Sequence, residues 1–147
     1  MRSIHRLLLV IAGLFLATAC DAQSGNGVPP APLLETRWLM EQMADLTVEP
    51  GIARKEPFLQ FHPDKNRYSA TAGCNGLGGA YMLDGANLRL EPGISTRMFC
   101  DGPVGQWESA MRQAILQTVS WRIEGKTLSL LDAAGTETAR FRAASPE

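Results

Sequence analysis

Clusters of turn-forming residues divide this chain into short apolar runs, and this division constrains its fold more than any other feature. Runs of three to five residues are separated by clusters that contain Gly, Pro, Asn or Asp, at 63–66, 84–87 and 124–126. Short runs with such connections are typical of antiparallel hairpins. The predicted strands are 36–40, 58–62, 67–71, 80–83, 88–90, 120–123, 127–131 and 137–141.

A single stretch has the periodicity of a helix. Its apolar positions recur at three and four residues, at Trp107, Ala110, Met111, Ala114, Ile115 and Thr118. Asp101 stands where an N-cap is expected, and Pro103 is tolerated in the first turn. The pattern therefore predicts an α+β fold, in which a small, mainly antiparallel, curled and barrel-like sheet packs with one α-helix.

Two segments give weaker signals. Residues 36–40 have the composition of an opening strand, although a helix also suits the spacing of Met40, Met43, Ala44 and Val48. A loop is expected at 51–57. The glycine-dense segment 73–79 is interpreted as a bend at a corner of the curled sheet, because glycine permits positive φ and close backbone packing.

The first twenty residues have the order of a secretory signal peptide. Arg2 and Arg6 precede an apolar run at 7–16, and small residues then lead into Cys20. The apolar run is too short for a membrane-spanning helix. A cysteine in this position resembles the bacterial lipobox, where the thiol is acylated and the chain is cut just before it. Residues 17–19 also fit the ordinary signal peptidase, which would release a soluble protein with a free Cys20.

We expect the lipoprotein route, because two further cysteines remain to pair without Cys20. The protein would then face the periplasm and be held in the lipid bilayer by acylated Cys20. Asp21 favours the inner membrane in enteric-type bacteria. The predicted organisation is a signal peptide at 1–19, a lipid-anchored tether at 20–33, a folded domain at 34–143 and a tail at 144–147.

The charge balance argues against nucleic acid as a partner. The signal peptide holds two of the 14 Lys and Arg residues, which leaves 12 basic against 15 acidic residues in the mature chain, without a basic cluster. Such a surface attracts neither nucleic acid nor anionic lipid. We expect a monomer whose partners are the bilayer and an unidentified envelope protein or ligand.

Cys74 and Cys100 are the first candidates for chemistry. Cys100 lies just before the predicted helix, where a thiol can have a lowered pKa and act as a nucleophile. The alternative is a structural disulfide in an oxidising compartment. A bridge across 26 residues would stabilise the fold by about 3.5 kcal/mol in the chain-entropy model, and the chain has no Cys-x-x-Cys motif. The structural interpretation is favoured.

Other polar residues give no catalytic constellation. His62 is the single histidine of the predicted mature chain, and a lone histidine beside a turn is usually a surface or packing residue. Glu108 is expected to be solvated on the helix flank. The segment 73–79 lacks the Lys-Ser/Thr ending of a phosphate loop, so no nucleotide cofactor is expected. One histidine and a paired cysteine cannot make a closed zinc site, so no metal site is expected. Core positions are expected for the tryptophans at 38, 107 and 121.

Three segments together resemble the META domain family, which includes HslJ-like heat-shock lipoproteins. They are Gly73-Cys74-Asn75, followed by Gly78 or Gly79 and by Tyr81; Thr96-Arg97-Met98-Phe99-Cys100; and the helix from Gln106 with Glu108 near its start. Agreement extends to Trp38-Leu39, to 125–130 and to Phe141, and covers residues 34–141. Phe99 departs from the pattern, because the family often has a small residue there.

The resemblance implies a disulfide between Cys74 and Cys100 and a strongly curled sheet with a helix against it. The family has no established enzymatic activity, and its members are associated with stress tolerance, secretion and envelope integrity. The expected function is therefore that of a non-enzymatic, membrane-tethered envelope lipoprotein that acts by binding. The alternatives are a tethered inhibitor of an envelope-attacking hydrolase and, less favoured, a thiol-based enzyme that uses Cys100.

The two loops that lead into the cysteines are the candidate binding surface. A loop held rigidly at its end loses little entropy on binding, so a partner could engage it efficiently. The candidate binding residues are Asn75, Gly76, Thr96, Arg97 and Met98.

Overall fold

The computed structural model of the protein describes residues 29–145. Predictions for the signal peptide, Cys20 and Asp21 lie outside this range. The strands are β1 Arg37–Met43, β2 Leu46–Thr47, β3 Phe58–His62, β4 Arg67–Thr71, β5 Gly76–Asp84, β6 Asn87–Leu90, β7 Ile94–Ser95, β8 Ser120–Glu124, β9 Thr127–Leu131 and β10 Glu137–Ala143. The helix α1 spans Gly102–Gln117, and a 3₁₀ turn spans Pro63–Lys65.

The strands form one antiparallel sheet that curls into a ring. Its order is β10-β9-β8-β6-β5-β4-β3-β1-β2, and additional pairing of β10 with β1 closes it. β7 lies off this path and pairs with β5. The weakest junction is β6–β8, where Asn87 pairs with Ser120. The predicted α+β class with a mainly antiparallel curled sheet and one helix is confirmed.

Alternating strand residues and the apolar stripe of α1 meet in a single core. Along β1, Trp38, Met40 and Met43 are buried, and the intervening residues are more exposed. The stripe of α1 is buried as predicted, at Trp107, Met111, Ala114 and Ile115. The helix contacts β1, β10 and β6, so it fills the curl of the sheet.

The predicted turns connect the predicted hairpins. Asn66 adopts a left-handed conformation with φ of 48° after the 3₁₀ turn between β3 and β4. Gly85 and Gly125 have positive φ in the β5–β6 and β8–β9 turns, a conformation that glycine adopts without strain. Asp101 occupies the N-cap position of α1, but its side chain makes no capping hydrogen bond.

The structure refines three sequence predictions. The ambiguous segment is a strand, β1, and Ala44, which follows its last residue, has a left-handed φ of 48°. The glycine-dense segment bends only as far as Asn75, and its remaining glycines belong to β5. β2 and β7 were not predicted, because two residues are too few to show a strand period.

The packed part of the chain begins before residue 34. The backbone N–H of Ala31 donates to Gly125, and Leu33 is buried. The indole of Trp38 donates to the carbonyl of Leu33 at 2.9 Å. The last residues of the predicted tether therefore dock onto the domain. Within residues 29–145, no helix has the length and apolar character needed to cross a bilayer.

Candidate functional site

A disulfide joins the start of β5 to the start of α1. Cys74 and Cys100 are bonded at 2.02 Å, with their Cα atoms 6.3 Å apart. Cys74 lies two residues before β5, and Cys100 lies two residues before α1. The bond that the family resemblance implied is present, and it anchors one end of the segment 94–100, which we call the anchored loop.

Asn75 anchors the same loop through its side chain. Its Nδ2 donates to the carbonyl of Met98 at 3.0 Å and to the carboxylate of Glu108 at 2.9 Å. Its Oδ1 accepts from the hydroxyl of Thr96 and from the backbone N–H of Met98, both at 2.8 Å. Asn75 is only 2% exposed. A candidate binding residue thus supports the loop from inside and is not itself available to a partner.

Glu108 is buried, so the prediction of a solvated residue is wrong. Its carboxylate accepts from Arg112 at 2.7 Å and from the side chain and backbone of Asn75. Oε2 also lies 3.3 Å from Sγ of Cys100. Helix periodicity placed Glu108 on the flank away from the apolar stripe, but Asn75 and Cys100 contact that flank. The sequence contained one signal for this contact: the Gly-Cys-Asn motif and the helix glutamate both belong to the family pattern.

Hydrogen bonding keeps Glu108 ionised. Burial raises the pKa of its carboxyl, but the hydrogen bonds from Arg112 and Asn75 outweigh burial and hold the pKa below its ordinary value of 4.5. Arg112 also donates to the hydroxyl of Ser95 at 2.9 Å. The carboxylate therefore connects the helix, Asn75 and the anchored loop in one charged network.

The outer side of the anchored loop is apolar and exposed. The exposed fractions are 78% for Ile94, 49% for Met98 and 91% for Phe99. Arg97 is exposed between them, and its side chain has no hydrogen-bond or ion-pair partner among the described residues. The loop thus presents apolar side chains to solvent while its backbone is held from behind.

A groove runs beside the anchored loop, over the outer face of β4 and β5. Its volume is about 570 Å³. Ile94 and Thr96 form the wall on the loop side, and the β3–β4 turn forms the opposite wall. A smaller cavity of about 140 Å³ adjoins it and shares Ile94 with it. Two candidate binding residues, Gly76 and Thr96, therefore line a concave surface.

The candidate catalytic groups do not form a catalytic set within residues 29–145. His62 is half-buried, and its Nε2 lies 2.8 Å from the hydroxyl of Ser69, without a carboxylate hydrogen-bonded to the ring. The sulfur of Cys100 is in the disulfide. Single donor atoms of Cys74, Cys100 and Glu108 lie within 4.8 Å of one another. A cysteine sulfur binds zinc as a thiolate, however, and these two sulfurs are joined in a disulfide.

The tryptophans divide between core and edge. Trp38 and Trp107 are buried, as predicted. Trp121 is half-buried, and its indole donates to the carbonyl of Gly85 at 3.1 Å, across the weak β6–β8 junction. It therefore links two strands that share little backbone pairing.

Comparison with known proteins agrees with this architecture. An NMR structure of a protein from Burkholderia xenovorans is 23% identical and has a TM-score of 0.60, with 84% of this chain and 97% of that chain covered. A second NMR structure is 20% identical with a TM-score of 0.60 and coverage of 75% and 90%. No curated protein matches. The META domain model matches residues 31–145, and the chain therefore belongs to the META domain family.

Proposed function

We propose that the protein is a membrane-tethered binding module of the cell envelope, without catalytic activity, that serves stress response or envelope integrity. The observation that carries the proposal is the anchored loop, with Met98 and Phe99 exposed at its tip. Membership of the META domain family supports the envelope setting. The lipobox-like sequence before Cys20 supports export and acylation.

The tip has the properties of a binding surface. An exposed phenylalanine gains free energy when a partner buries it, and aromatic side chains dominate interface energetics. Binding also costs the ordering of flexible segments. The disulfide and Asn75 have already ordered this loop, so the entropic cost of ordering it on binding is small.

The tether sets the reach of this surface. If Cys20 carries the acyl groups, the segment from Cys20 to Ala31 spans at most about 40 Å when fully extended. The domain would then work close to the periplasmic face of its membrane. Asp21 favours the inner membrane in enteric-type bacteria.

A tethered inhibitor of an envelope-attacking hydrolase is the alternative that the loop also favours. Rigid loops with a protruding side chain bind an enzyme cleft with little loss of entropy. Tight co-purification with a protease or lysozyme would identify this case. A thiol-based enzyme that uses Cys100 would first require reduction of the disulfide.

The loop tip can be tested with two matched methionines. Met98 is 49% exposed on the anchored loop, and Met82 is 53% exposed on β5. We expect Met98→Ser combined with Phe99→Ser to remove most of the rescue of a deletion strain under heat or envelope stress. Loss of such contacts weakens binding by about 2 kcal/mol or more, about thirtyfold in affinity. Met82→Ser should rescue normally.

Melting temperatures decide the interpretation of this test. Both loop positions are exposed, so the double variant should melt within a few degrees of the parent protein. Full rescue by the double variant, with an unchanged melting temperature, would contradict the proposed surface. Equal loss of rescue in Met82→Ser would do the same.

A further inference from the structure

We propose that the groove beside the anchored loop binds an acidic saccharide, a sugar that carries a carboxylate. This site goes beyond the proposed function, because it lies behind the loop tip and does not require Met98 or Phe99. The groove has a volume of about 570 Å³, within the range of about 300–1,000 Å³ typical of small-molecule sites.

At the floor of the groove, β5 presents two glycines. Gly76 and Gly78 lie two residues apart on β5, so they face the same side of the sheet, and Ser69 pairs with Gly78 from β4. The floor is therefore a flat strip of backbone bordered by one hydroxyl. A flat strip of this kind fits the C–H face of a sugar ring.

The fold does not require glycine at position 76. A Cβ atom built there would meet no atom within 4 Å, and the residue does not have positive φ. Gly79, by contrast, has no room for a Cβ, which would lie 1.9 Å from the carbonyl oxygen of Glu91. Glycine inside a strand weakens it, and it often marks close approach of a ligand. Gly76 is therefore explained by the open groove and not by packing.

The turn-side wall carries two cations, Lys65 and Arg67, against one carboxylate, Asp64. Arg67 is exposed, and its side chain has no hydrogen-bond or ion-pair partner among the described residues. Lys65 lines the same wall, and its Nζ lies 3.9 Å from the carboxylate of Asp64. His62 is tied to Ser69, which fixes both side chains at the edge of the floor. An unpaired guanidinium is the group best suited to a carboxylate, because it can donate two parallel hydrogen bonds.

Backbone pairing favours a sugar over an acidic peptide. The backbone groups of the floor are already used: β5 pairs with β4 on one side, and Leu77 and Gly78 pair with β7 on the other. The amide of Gly76 donates to the Thr96 hydroxyl, and its carbonyl accepts from the Thr96 N–H. An extended peptide would find no backbone partners there. Sugar hydroxyls can keep their bonds to water in an open groove.

The test is a titration of the full-length protein, in detergent, with a sugar. Binding is monitored through the chemical shifts of the backbone amides. The probe is digalacturonic acid, with the neutral disaccharide cellobiose and triglutamate as comparisons. We expect saturable shifts at Ser69, Gly76 and Gly78 with the acidic disaccharide, and affinity that falls as salt rises. Cellobiose and triglutamate should bind at least about tenfold more weakly.

Three variants separate charge from shape. Arg67→Gln should weaken binding of digalacturonic acid about tenfold or more, the loss of about 1.4 kcal/mol or more from a charged hydrogen bond. Gly76→Val should block the floor and leave the melting temperature near that of the parent protein. Arg89→Gln, at an exposed strand arginine outside the groove, is the control and should bind normally.

Each contrary result overturns the assignment. Absence of shifts on the floor, or equal affinities of Arg67→Gln and Arg89→Gln, would remove the site. Equal binding of cellobiose would remove the role of charge, and tighter binding of triglutamate would assign the groove to acidic peptides. Because the loop tip is intact in all three variants, these outcomes are independent of the stress-rescue test.

Discussion

At the scale of single residues, Asn75 and Glu108 decide how the loop is held. The amide of Asn75 supplies a donor to the Glu108 carboxylate and an acceptor to the loop backbone at the same time. An aspartate could supply only acceptors and would place a second charge beside Glu108. No buried side-chain nitrogen or oxygen among the described residues lacks a hydrogen-bond partner. The polar network is therefore complete, as buried networks need to be.

Glu108→Gln should lower stability in a pH-dependent way. The folded-state pKa of Glu108 is below its ordinary value of 4.5, so the carboxylate stabilises the fold above about pH 4.5. This contribution is lost as the pH falls through the lower folded-state pKa. We expect Glu108→Gln to cost about 1–3 kcal/mol at pH 7, with a deficit that shrinks toward pH 3. Urea unfolding across this pH range measures it.

Glu124→Gln is the matched control for this measurement. Glu124 pairs with Arg122 on the surface, with its side chain 74% exposed. Exposed pairs contribute at most about 1 kcal/mol. A deficit of Glu108→Gln that stays constant between pH 3 and pH 7 would rule out the ionised network as its cause.

At the scale of elements, the glycines of β5 have different surroundings, so different physical causes account for them. Gly79 is closely covered by Glu91 and by the ring of Tyr68, which donates its hydroxyl to the Glu91 carbonyl at 3.0 Å. Gly93 fits against the backbone of Gly78 in the same crossing. Gly76 has open space. One edge of β5 pairs with two strands, β6 and β7. Residues 91–93, which connect these two strands, pass closely over β5.

Alanine substitution distinguishes the two kinds of glycine in β5. Gly79→Ala forces the Glu91 backbone to move, and overpacking of this kind costs about 1–3 kcal/mol. Gly76→Ala meets no atom and should stabilise the fold by up to about 1 kcal/mol, since alanine restricts the unfolded chain. Urea midpoints of the two variants check this. Similar midpoints would show that the crossing of 91–93 over β5 does not limit position 79.

The elements that were predictable are those specified by neighbouring residues. Turn chemistry located the β3–β4, β5–β6 and β8–β9 hairpins, and the apolar spacing located α1. The burial of Glu108 was not predictable from periodicity, because it depends on tertiary contacts with Asn75, 33 residues away, and with Cys100 outside the helix. The groove was not predictable either. It forms because the sheet brings β7 to one side of β4 and β5 and the β3–β4 turn to the other side. Such pairings depend on tertiary contacts that local pattern does not contain.

At the scale of the whole molecule, the proposed anchor predicts how the protein fractionates. The wild-type protein should partition into detergent with acyl mass on Cys20. Cys20→Ser should become soluble or stay unprocessed, since the acyl chains supply the stable attachment. Detergent phase separation with mass spectrometry of the N-terminal peptide measures this. An unmodified mature chain that begins at Cys20 in the periplasmic fraction would contradict the anchor.

The closure of the sheet by β1 and β10 also sets the order of events as the protein is made. Glu41 and Arg142, which pair across this seam, are 101 residues apart. The ribosome releases the chain N-terminus first, so β1 cannot pair with β10 until nearly the whole chain has been synthesised. The ring cannot close around the helix before then. If the protein is exported as proposed, this topology delays completion of the fold until β10 has been made, which favours translocation of an unfolded chain.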